Sequence, residues 1–322
     1  MLECGLGSDR RSSYRSPMRP LPALGIYIII VFLGGALIAP WLYWLTQSFA
    51  QTFPHLAASP FHRFVNRSLL GLALIGLWPL LRSLGARSWR DLGLVNPTRQ
   101  GKKLGTGFAL GFGSLAIVAL TALGTGARVL TQNQAHIARN LLGVALTAVA
   151  VAVLEEILFR GALFGTLRKV MDWALALVAS SMIYALVHFM ESARQTGPVL
   201  WHSGFDLLPR MLRGLGNWQQ LIPGFLNLTL AGALLALAYQ RTGNLYFSIG
   251  LHAGWIFWLK SYGIFTREVP GANAGFWGGA KLIDGWMALL VLSSTLLAFL
   301  RLSLRSTSPA SPAAAKRPLA KV

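Results

Sequence analysis

Two adjacent carboxylates, Glu155 and Glu156, lie in a strongly apolar stretch, residues 151–169, which reads VAVLEEILFRGALFGTLRK. The chain has only ten acidic residues among 322, so two together in an apolar stretch are unusual. An ionisable side chain is costly inside a lipid bilayer, and one that occurs there usually serves a function. A carboxylate in such a place can act as a general base on water or as a metal ligand. We therefore expect this pair to mark a functional site.

Two histidines can be placed beside this pair. The polar cluster from Arg168 to Asp172 is typical of a hairpin between two helices. Glu155 lies 16 residues before residue 171, near the centre of this cluster, and His188 lies 17 after it. Both therefore reach about the same depth in an antiparallel helix pair that rises about 1.5 Å per residue. His252 lies inside a later apolar stretch, whereas the other four histidines fall in polar segments or at the ends of apolar stretches.

Two histidines and a carboxylate suit two kinds of hydrolytic chemistry. They could hold a divalent metal such as zinc, with one position left open for water. Alternatively, without a metal, the buried glutamate could serve as general base while the histidines assist. Both arrangements turn a water molecule into a nucleophile.

Structural roles are consistent with some of the same spacings. Glu156 and Arg160 stand at positions i and i+4 on one helix face, where an ion pair between them could hold Glu155 in place. Tyr184 lies one turn before His188 on the same face, where it could line the site or pack in the core. A single buried histidine can equally be a core residue with its hydrogen bonds satisfied.

The composition indicates that membrane helices position these groups. Hydrophobic residues make up 54% of the chain and charged residues 12%, against about 25% charged in a typical soluble domain. The formal net charge is +19, but the basic residues lie singly or in small groups between apolar stretches, as loop charges do in membrane proteins. Because they form no single patch, nucleic-acid binding is not expected. The one cysteine, Cys4, excludes an intrachain disulfide and a cysteine-ligated metal site.

The apolar stretches predict an all-α, polytopic membrane bundle of about eight transmembrane helices with the site inside it. These stretches are residues 24–45, 64–81, 104–126, one that starts near 141, 173–190, 222–239, 245–262 and 282–300. The predicted parts of the chain are a polar N-terminal tail (1–20), three N-terminal helices (21–140), a core of helices four to seven (141–262), a last helix with its preceding loop (263–303) and a disordered tail (304–322).

Charged and aromatic residues outside these stretches predict the orientation. The larger share of Lys and Arg falls in the segments on the same side as the N-terminus, so both termini are expected in the cytoplasm. The segment 191–221 contains tryptophans and arginines that are typical of a helix lying on the bilayer surface. A multi-pass protein of a bacterial inner (plasma) membrane is therefore expected.

Three short motifs resemble those of the CPBP family, which comprises CAAX prenyl endopeptidases, Abi proteins and bacteriocin-processing membrane proteases. Glu155-Glu156-x-x-x-Arg160 followed by Gly161 is similar to the first motif. Tyr184-x-x-x-His188 is similar to the second, in which Phe normally stands in place of Tyr. The histidine of GLHAG, residues 250–254, matches that of the third. The resemblance covers about residues 141–258.

The resemblance implies an eight-helix intramembrane protease in which Glu155 is the general base and His188 and His252 bind or polarise the attacking water. Glu156 and Arg160 would orient the site. The third motif normally has Asn or Asp four residues after its histidine, a side chain thought to stabilise the oxyanion, and this chain has Ile256 there. Asn227, or Ser248 one turn before His252, could take the place of the missing Asn or Asp.

We therefore expect an intramembrane endopeptidase that acts on a membrane-embedded or lipidated protein or peptide. The departure at Ile256 supports an alternative, a non-catalytic immunity or adaptor protein with the same fold. A third reading is a proton-coupled transporter that uses Glu155 and the histidines as a relay. No internal repeat of the kind common in transporters is found in the sequence.

Overall fold

The computed structural model of this chain describes residues 20–131, 137–190, 193–213, 218–279 and 282–305. In these residues the chain is a bundle of helices with one short antiparallel strand pair, so the predicted all-α membrane bundle is confirmed. The described α-helices are α1 (Pro20–Ile29), α2 (Gly35–Ser48), α3 (Pro54–Ala57), α4 (Phe61–Ser83), α5 (Gly101–Gly124), α6 (Ile137–Glu155), α7 (Gly165–Leu167), α8 (Trp173–His188), α9 (Ser203–Met211), α10 (Trp218–Thr242), α11 (Tyr246–Phe265), α12 (Ala274–Trp277) and α13 (Trp286–Arg305).

The remaining regular elements are short. The strands are β1 (Arg128–Leu130) and β2 (Thr266–Glu268), which follow α5 and α11 and pair with each other. Two π-helical segments, Ile30–Gly34 and Glu156–Phe164, continue α1 and α6, and the 3-10 turns Trp89–Leu92 and Pro97–Arg99 lie between α4 and α5.

Several of these helices are long and apolar enough to cross a membrane. In the described part of the chain they are Leu21–Ser48, Phe61–Ser83, Gly101–Gly124, Ile137–Leu167 and Leu221–Thr242, accompanied by the shorter apolar helices Trp173–His188 and Trp286–Arg301. The remaining predicted stretch, 245–262, coincides with α11, whose 20 residues include buried polar side chains. The chain is thus a multi-pass membrane protein, and the number of eight crossings stays a prediction.

The described part of the segment 191–221 contains α9 and the start of α10, which begins at Trp218. Helix α9 packs on α2, with Gly204 against the backbone of Ala36 and Leu207 fully buried. The position of α9 at the bilayer surface stays a prediction. The absence of a side chain at Gly204 allows this close approach, which the polar composition of the segment does not reveal.

The predicted tails lie outside the described residues except at their inner ends. Residue 20 begins α1, and residues 304 and 305 belong to α13, which therefore runs slightly beyond the predicted boundary at 303. Cys4 lies in the part of the chain that is not described.

Helices α5 and α11 run side by side in near backbone contact. On α5, Gly107 and Gly111 face the backbone of α11, and on α11, Gly250 and Gly254 face the backbone of α5. A Cβ at any of these four glycines would collide with the opposite main chain. Close packing through small residues is a common way for helices to associate in lipid. His252 lies midway between the two glycines of α11, on a helix held firmly against its neighbour.

Antiparallel pairs build the other side of the bundle. Helix α8 lies along α10, with Ser181 against Gly232 and Phe189 against Gly224. Helix α2 lies along α4, where the Cα of Leu69 comes close to Gly35. The first of these pairs fixes the end of α8, where His188 is the last helical residue.

A π-helical segment, Glu156–Phe164, joins α6 to α7. A π-helix contains more residues per turn than an α-helix, and short π segments occur frequently at functional sites. Most of its side chains are buried, including Glu156 and Arg160. Gly161 in this segment lies against Leu92 of the 3-10 turn Trp89–Leu92, so the loop between α4 and α5 supports it from one side.

Candidate functional site

Three predicted residues, Glu155, His188 and His252, come from three helices and meet around one carboxylate oxygen of Glu155. This place is the convergence point. Glu155 is the last residue of α6, His188 is the last of α8, and His252 lies near the start of α11. The Oε2 atom of Glu155 is 3.6 Å from Nε2 of His188 and 3.7 Å from Nε2 of His252. This oxygen is buried and has no hydrogen-bond partner among the residues that the structure describes. The side chains of Glu155 and His188 are 25% and 29% exposed, so a small molecule can reach the convergence point.

The second nitrogen of each histidine fixes which ring atom carries the proton. Nδ1 of His188 lies 2.8 Å from the main-chain oxygen of Tyr184, and Nδ1 of His252 lies 3.0 Å from Oε1 of Glu156. Carbonyl and carboxylate oxygens only accept hydrogen bonds, so each Nδ1 is the donor. In the neutral imidazoles, both Nε2 atoms therefore carry a lone pair and face Glu155 Oε2.

Glu156 connects the ion pair to the second histidine. Its Oε1 accepts from Nη1 of Arg160 at 2.9 Å, which is the predicted i, i+4 contact, and also from Nδ1 of His252. Both Glu156 and Arg160 are almost completely buried, at 0% and 2% exposure. An ionised acceptor makes a shorter and stronger hydrogen bond than a neutral one, so the carboxylate holds the imidazole ring firmly.

Arg160 and Tyr184 form a layer beneath these groups. The Arg160 guanidinium lies 4.5 Å from the centre of the Tyr184 ring, and its Nη2 donates to the main-chain oxygen of Gly232 at 3.4 Å. The edge of the Phe159 ring meets the Tyr184 ring at 5.0 Å. The Tyr184 hydroxyl oxygen lies 3.3 Å from Nε2 of His252. Tyr184 thus contacts the site directly, beside its role in core packing.

The structure does not make either substitute donor available. Nδ2 of Asn227 donates to the main-chain oxygens of Ile283 and Gly285 at 2.7 and 2.9 Å, which uses both of its hydrogens. Oγ of Ser248 donates to the main-chain oxygen of Leu245, as serines in helices often do. The suggestion that one of them donates to an oxyanion was therefore wrong, because both are committed to the backbone.

Ile256, one turn after His252, is buried in the hydrophobic core at 6% exposure. It packs in the cluster that also contains Ala152, Ile157 and Ala253. Its side chain offers no polar atom to the site.

The side chains at the convergence point are not spaced as ideal metal ligands. Among the described residues, no group of three or more His, Cys, Asp or Glu side chains is arranged to hold a metal. The separations of 3.6 and 3.7 Å are longer than the edge of about 3.3 Å that tetrahedral zinc ligands define. A water molecule there could donate one hydrogen to Glu155 and its second hydrogen to Nε2 of one of the two imidazoles. The predicted metal set of Glu155, His188 and His252 does not fit a metal as placed.

Sequence reasoning missed the bond between Glu156 and His252. The two residues are separated by 96 positions, and Glu156 already had a partner on its own helix in Arg160. The π-helical segment was missed as well, because the sequence pattern does not distinguish π-helical from α-helical turns. No local pattern in the sequence signals either feature.

Comparison with known protein families gives one match. Residues 137–258 match the family described as type II CAAX prenyl endopeptidase Rce1-like. The matched residues run from the start of α6 into α11 and include every residue of the convergence point. No curated protein and no solved structure matches the chain.

Proposed function

We propose that this protein is an intramembrane endopeptidase, because residues 137–258 match the family described as type II CAAX prenyl endopeptidase Rce1-like. The observation that carries the proposal is the approach of Glu155 Oε2 to Nε2 of His188 at 3.6 Å and to Nε2 of His252 at 3.7 Å. Carboxylate and imidazole lone pairs that face one point can bind a water molecule and accept its proton. The reaction class that this arrangement favours is hydrolysis.

In the proposed reaction, Glu155 is the general base. Its carboxylate accepts a proton from the water as the water oxygen bonds to the carbonyl carbon of the peptide, and the carbonyl electron pair moves onto oxygen. When the tetrahedral intermediate collapses, the C–N bond breaks and the proton on Glu155 passes to the leaving amine. General base assistance of this kind typically contributes about 10²–10⁴ in rate. The second hydrogen of the water donates to Nε2 of His188 or of His252, which keeps the water in line.

Glu156 and Arg160 act at one remove from the reacting atoms. Glu156 accepts from Nδ1 of His252 and thereby keeps the Nε2 lone pair of that ring directed at the water. Arg160 neutralises the buried charge of Glu156 and ties the π-helical turn to α10 through Gly232. Both are therefore proposed as positioning residues.

The substrate class follows from the surroundings of the site. Glu155 and His188 are partly exposed, and nearby positions on α6 and α8, such as Leu154 and Val187, present apolar side chains to the outside. These features favour a membrane-embedded or lipidated protein or peptide over a polar soluble one. We further propose that the protein lies in the bacterial inner (plasma) membrane with both termini in the cytoplasm, as the basic residues indicate.

The test uses purified protein in detergent and two fluorogenic reporters, an S-farnesylated CAAX peptide and a peptide with a single transmembrane helix. Glu155→Gln, His188→Ala and His252→Ala should each lower cleavage by about 100-fold or more. The matched control is His202→Ala, which removes a histidine that pairs with Asp206 at 2.9 Å outside the site, and it should leave the rate unchanged. Full activity in all three site variants, or no cleavage of either reporter by the wild-type protein, would contradict the proposal.

A chelator separates the two hydrolytic mechanisms. If side chains alone activate the water, prolonged dialysis against a strong chelator leaves the cleavage rate unchanged. Loss of activity on dialysis, with recovery on addition of zinc, would instead favour a metal held by the same three residues.

One observation favours a second candidate, a non-catalytic immunity or adaptor protein. Ile256 stands where the resemblance expects a polar side chain, and it is buried among apolar residues. Under this alternative, expression of the Glu155→Gln variant fully restores the wild-type phenotype to a deletion strain. Under the protease proposal, the same variant fails to complement.

A further inference from the structure

The hydroxyl of Tyr184 is directed at the reacting side of the site. Its oxygen lies 3.3 Å from Nε2 of His252, the nitrogen that also faces Glu155. The Tyr184 side chain is 3% exposed, and its ring centre is 4.3 Å from that of His188. A buried phenol hydroxyl normally has a hydrogen-bond partner, and here that partner is a group that the proposed reaction needs for water.

The direction of this hydrogen bond follows from the other side of the histidine. Nδ1 of His252 carries its proton because it faces the carboxylate of Glu156, so Nε2 can only accept. The Tyr184 hydroxyl is therefore the donor. When a water occupies the lone pair of Nε2, this hydroxyl is displaced and its hydrogen needs a new acceptor. The group that arrives beside the water is the carbonyl oxygen of the substrate.

Three other side-chain donors, those of Arg160, Ser248 and Asn227, have fixed partners. Arg160 donates to Glu156 and to the main-chain oxygen of Gly232. Ser248 and Asn227 donate to backbone carbonyls, as described above. The hydroxyl of Tyr184, in contrast, donates to a group that changes partner during the reaction.

We propose that Tyr184 is a further catalytic residue, whose hydroxyl donates a hydrogen bond to the carbonyl oxygen of the scissile peptide. This inference rests on the proposed function. As the water oxygen bonds to the carbonyl carbon, negative charge gathers on that oxygen and the hydrogen bond strengthens. The phenol keeps its proton throughout, and the proton taken by Glu155 leaves with the amine. Donors aimed at developing charge in a site that excludes water are among the largest contributions to catalysis.

The packing of the ring suits this role. The Arg160 guanidinium lies 4.5 Å from the ring centre, and the Phe159 ring meets it edge-on at an interplanar angle of 89°. Two neighbours on the π-helical turn therefore hold the ring in place, so little reorganisation is needed when charge develops.

The experiment compares Tyr184→Phe with the wild-type protein on whichever reporter the wild type cleaves. The substitution removes one oxygen atom and keeps the ring contacts, and Phe is the residue that the resembled motif has at this position. The expected result is a fall in kcat of about 10²–10³ with KM changed less than about two-fold. The matched control is Tyr262→Phe on α11, which removes a buried hydroxyl that has no hydrogen-bond partner among the described residues and should leave both constants unchanged.

A second measurement separates catalysis from structure. A phosphonate analogue of the cleaved reporter carries charged oxygens in place of the carbonyl, and its inhibition constant should rise in Tyr184→Phe by about the same factor as kcat/KM falls. The Glu155→Gln variant binds the reporter without cleaving it. Adding Tyr184→Phe to this variant should leave its affinity for the reporter unchanged. A Tyr184→Phe protein with kcat within about three-fold of wild type, or an equal loss in reporter affinity, would overturn the inference. The proposed function would still stand if Glu155→Gln remained inactive.

Discussion

The buried Glu156–Arg160 pair offers the sharpest test of how the site is held together. Arg160 is 2% exposed and its charge is balanced by Glu156 at 2.9 Å. Glu156→Gln keeps the shape and one acceptor oxygen but leaves the guanidinium without a counter-charge. Removing one partner of a buried ion pair usually costs about 3–5 kcal/mol, so we expect the free energy of unfolding to fall by about that amount.

Removing both charges should restore most of that loss. In Glu156→Gln/Arg160→Met, no unpaired charge remains, and apolar replacement of buried pairs is often close to neutral. The double variant is therefore expected within about 1 kcal/mol of the wild-type protein, and Arg160→Met alone should resemble Glu156→Gln. Cleavage should not recover with stability, because a neutral amide at position 156 makes a weaker hydrogen bond to His252 than a carboxylate does. We expect the double variant to cleave the reporter about ten-fold more slowly than the wild type.

The assay is reversible unfolding in bicelles for the four proteins of this cycle, with cleavage of the reporter measured on the same samples. The matched control is His202→Ala, which disrupts the partly exposed His202–Asp206 pair and should change stability by less than about 1 kcal/mol. A cost below about 1 kcal/mol for Glu156→Gln, or losses that simply add in the double variant, would refute the reasoning.

Two further predictions concern the scaffold. Gly111→Ala should destabilise the protein by about 1–3 kcal/mol, because the added methyl group meets the backbone of α11. Gly113→Ala on the same helix meets no described atom within 4 Å and should be neutral. Unfolding in bicelles measures both variants, and equal effects would contradict the packing described for α5 and α11. Asn227→Ala should lower the free energy of unfolding by about 1–3 kcal/mol, because it leaves two buried backbone carbonyls without a donor. The kcat of the folded fraction should stay within about three-fold of wild type. A loss of about 100-fold in kcat would instead place Asn227 in the catalytic site.

Much of the site could be predicted because its residues break a strong pattern. Glu155 and His188 stand out as polar side chains in apolar helices, and the short hairpin between α7 and α8 allowed their depths to be matched by counting residues. The structure places them 3.6 Å apart. The ion pair of Glu156 with Arg160 follows equally from i, i+4 spacing on one helix.

The rest depends on contacts between distant parts of the chain. His252 could be selected by type and burial, but nothing in its neighbourhood indicates that its Nδ1 faces Glu156. Asn227 was polar and buried and so resembled a site residue, whereas it clamps the chain before α13. The packing of α9 on α2 depends on Gly204, one of 34 glycines in the chain, and only the structure distinguishes it from the others.

The most direct test of the proposed reaction is the fate of oxygen in a single turnover. Excess wild-type protein is mixed with the reporter in water enriched in ¹⁸O. Mass spectrometry then measures the ¹⁸O content of the product and of the tryptic peptide that contains Glu155. If Glu155 activates water as a general base, the new carboxyl group of the product gains one ¹⁸O atom and Glu155 gains none. Label in Glu155 would mean that its carboxylate attacks the peptide directly, and would contradict the role proposed for it.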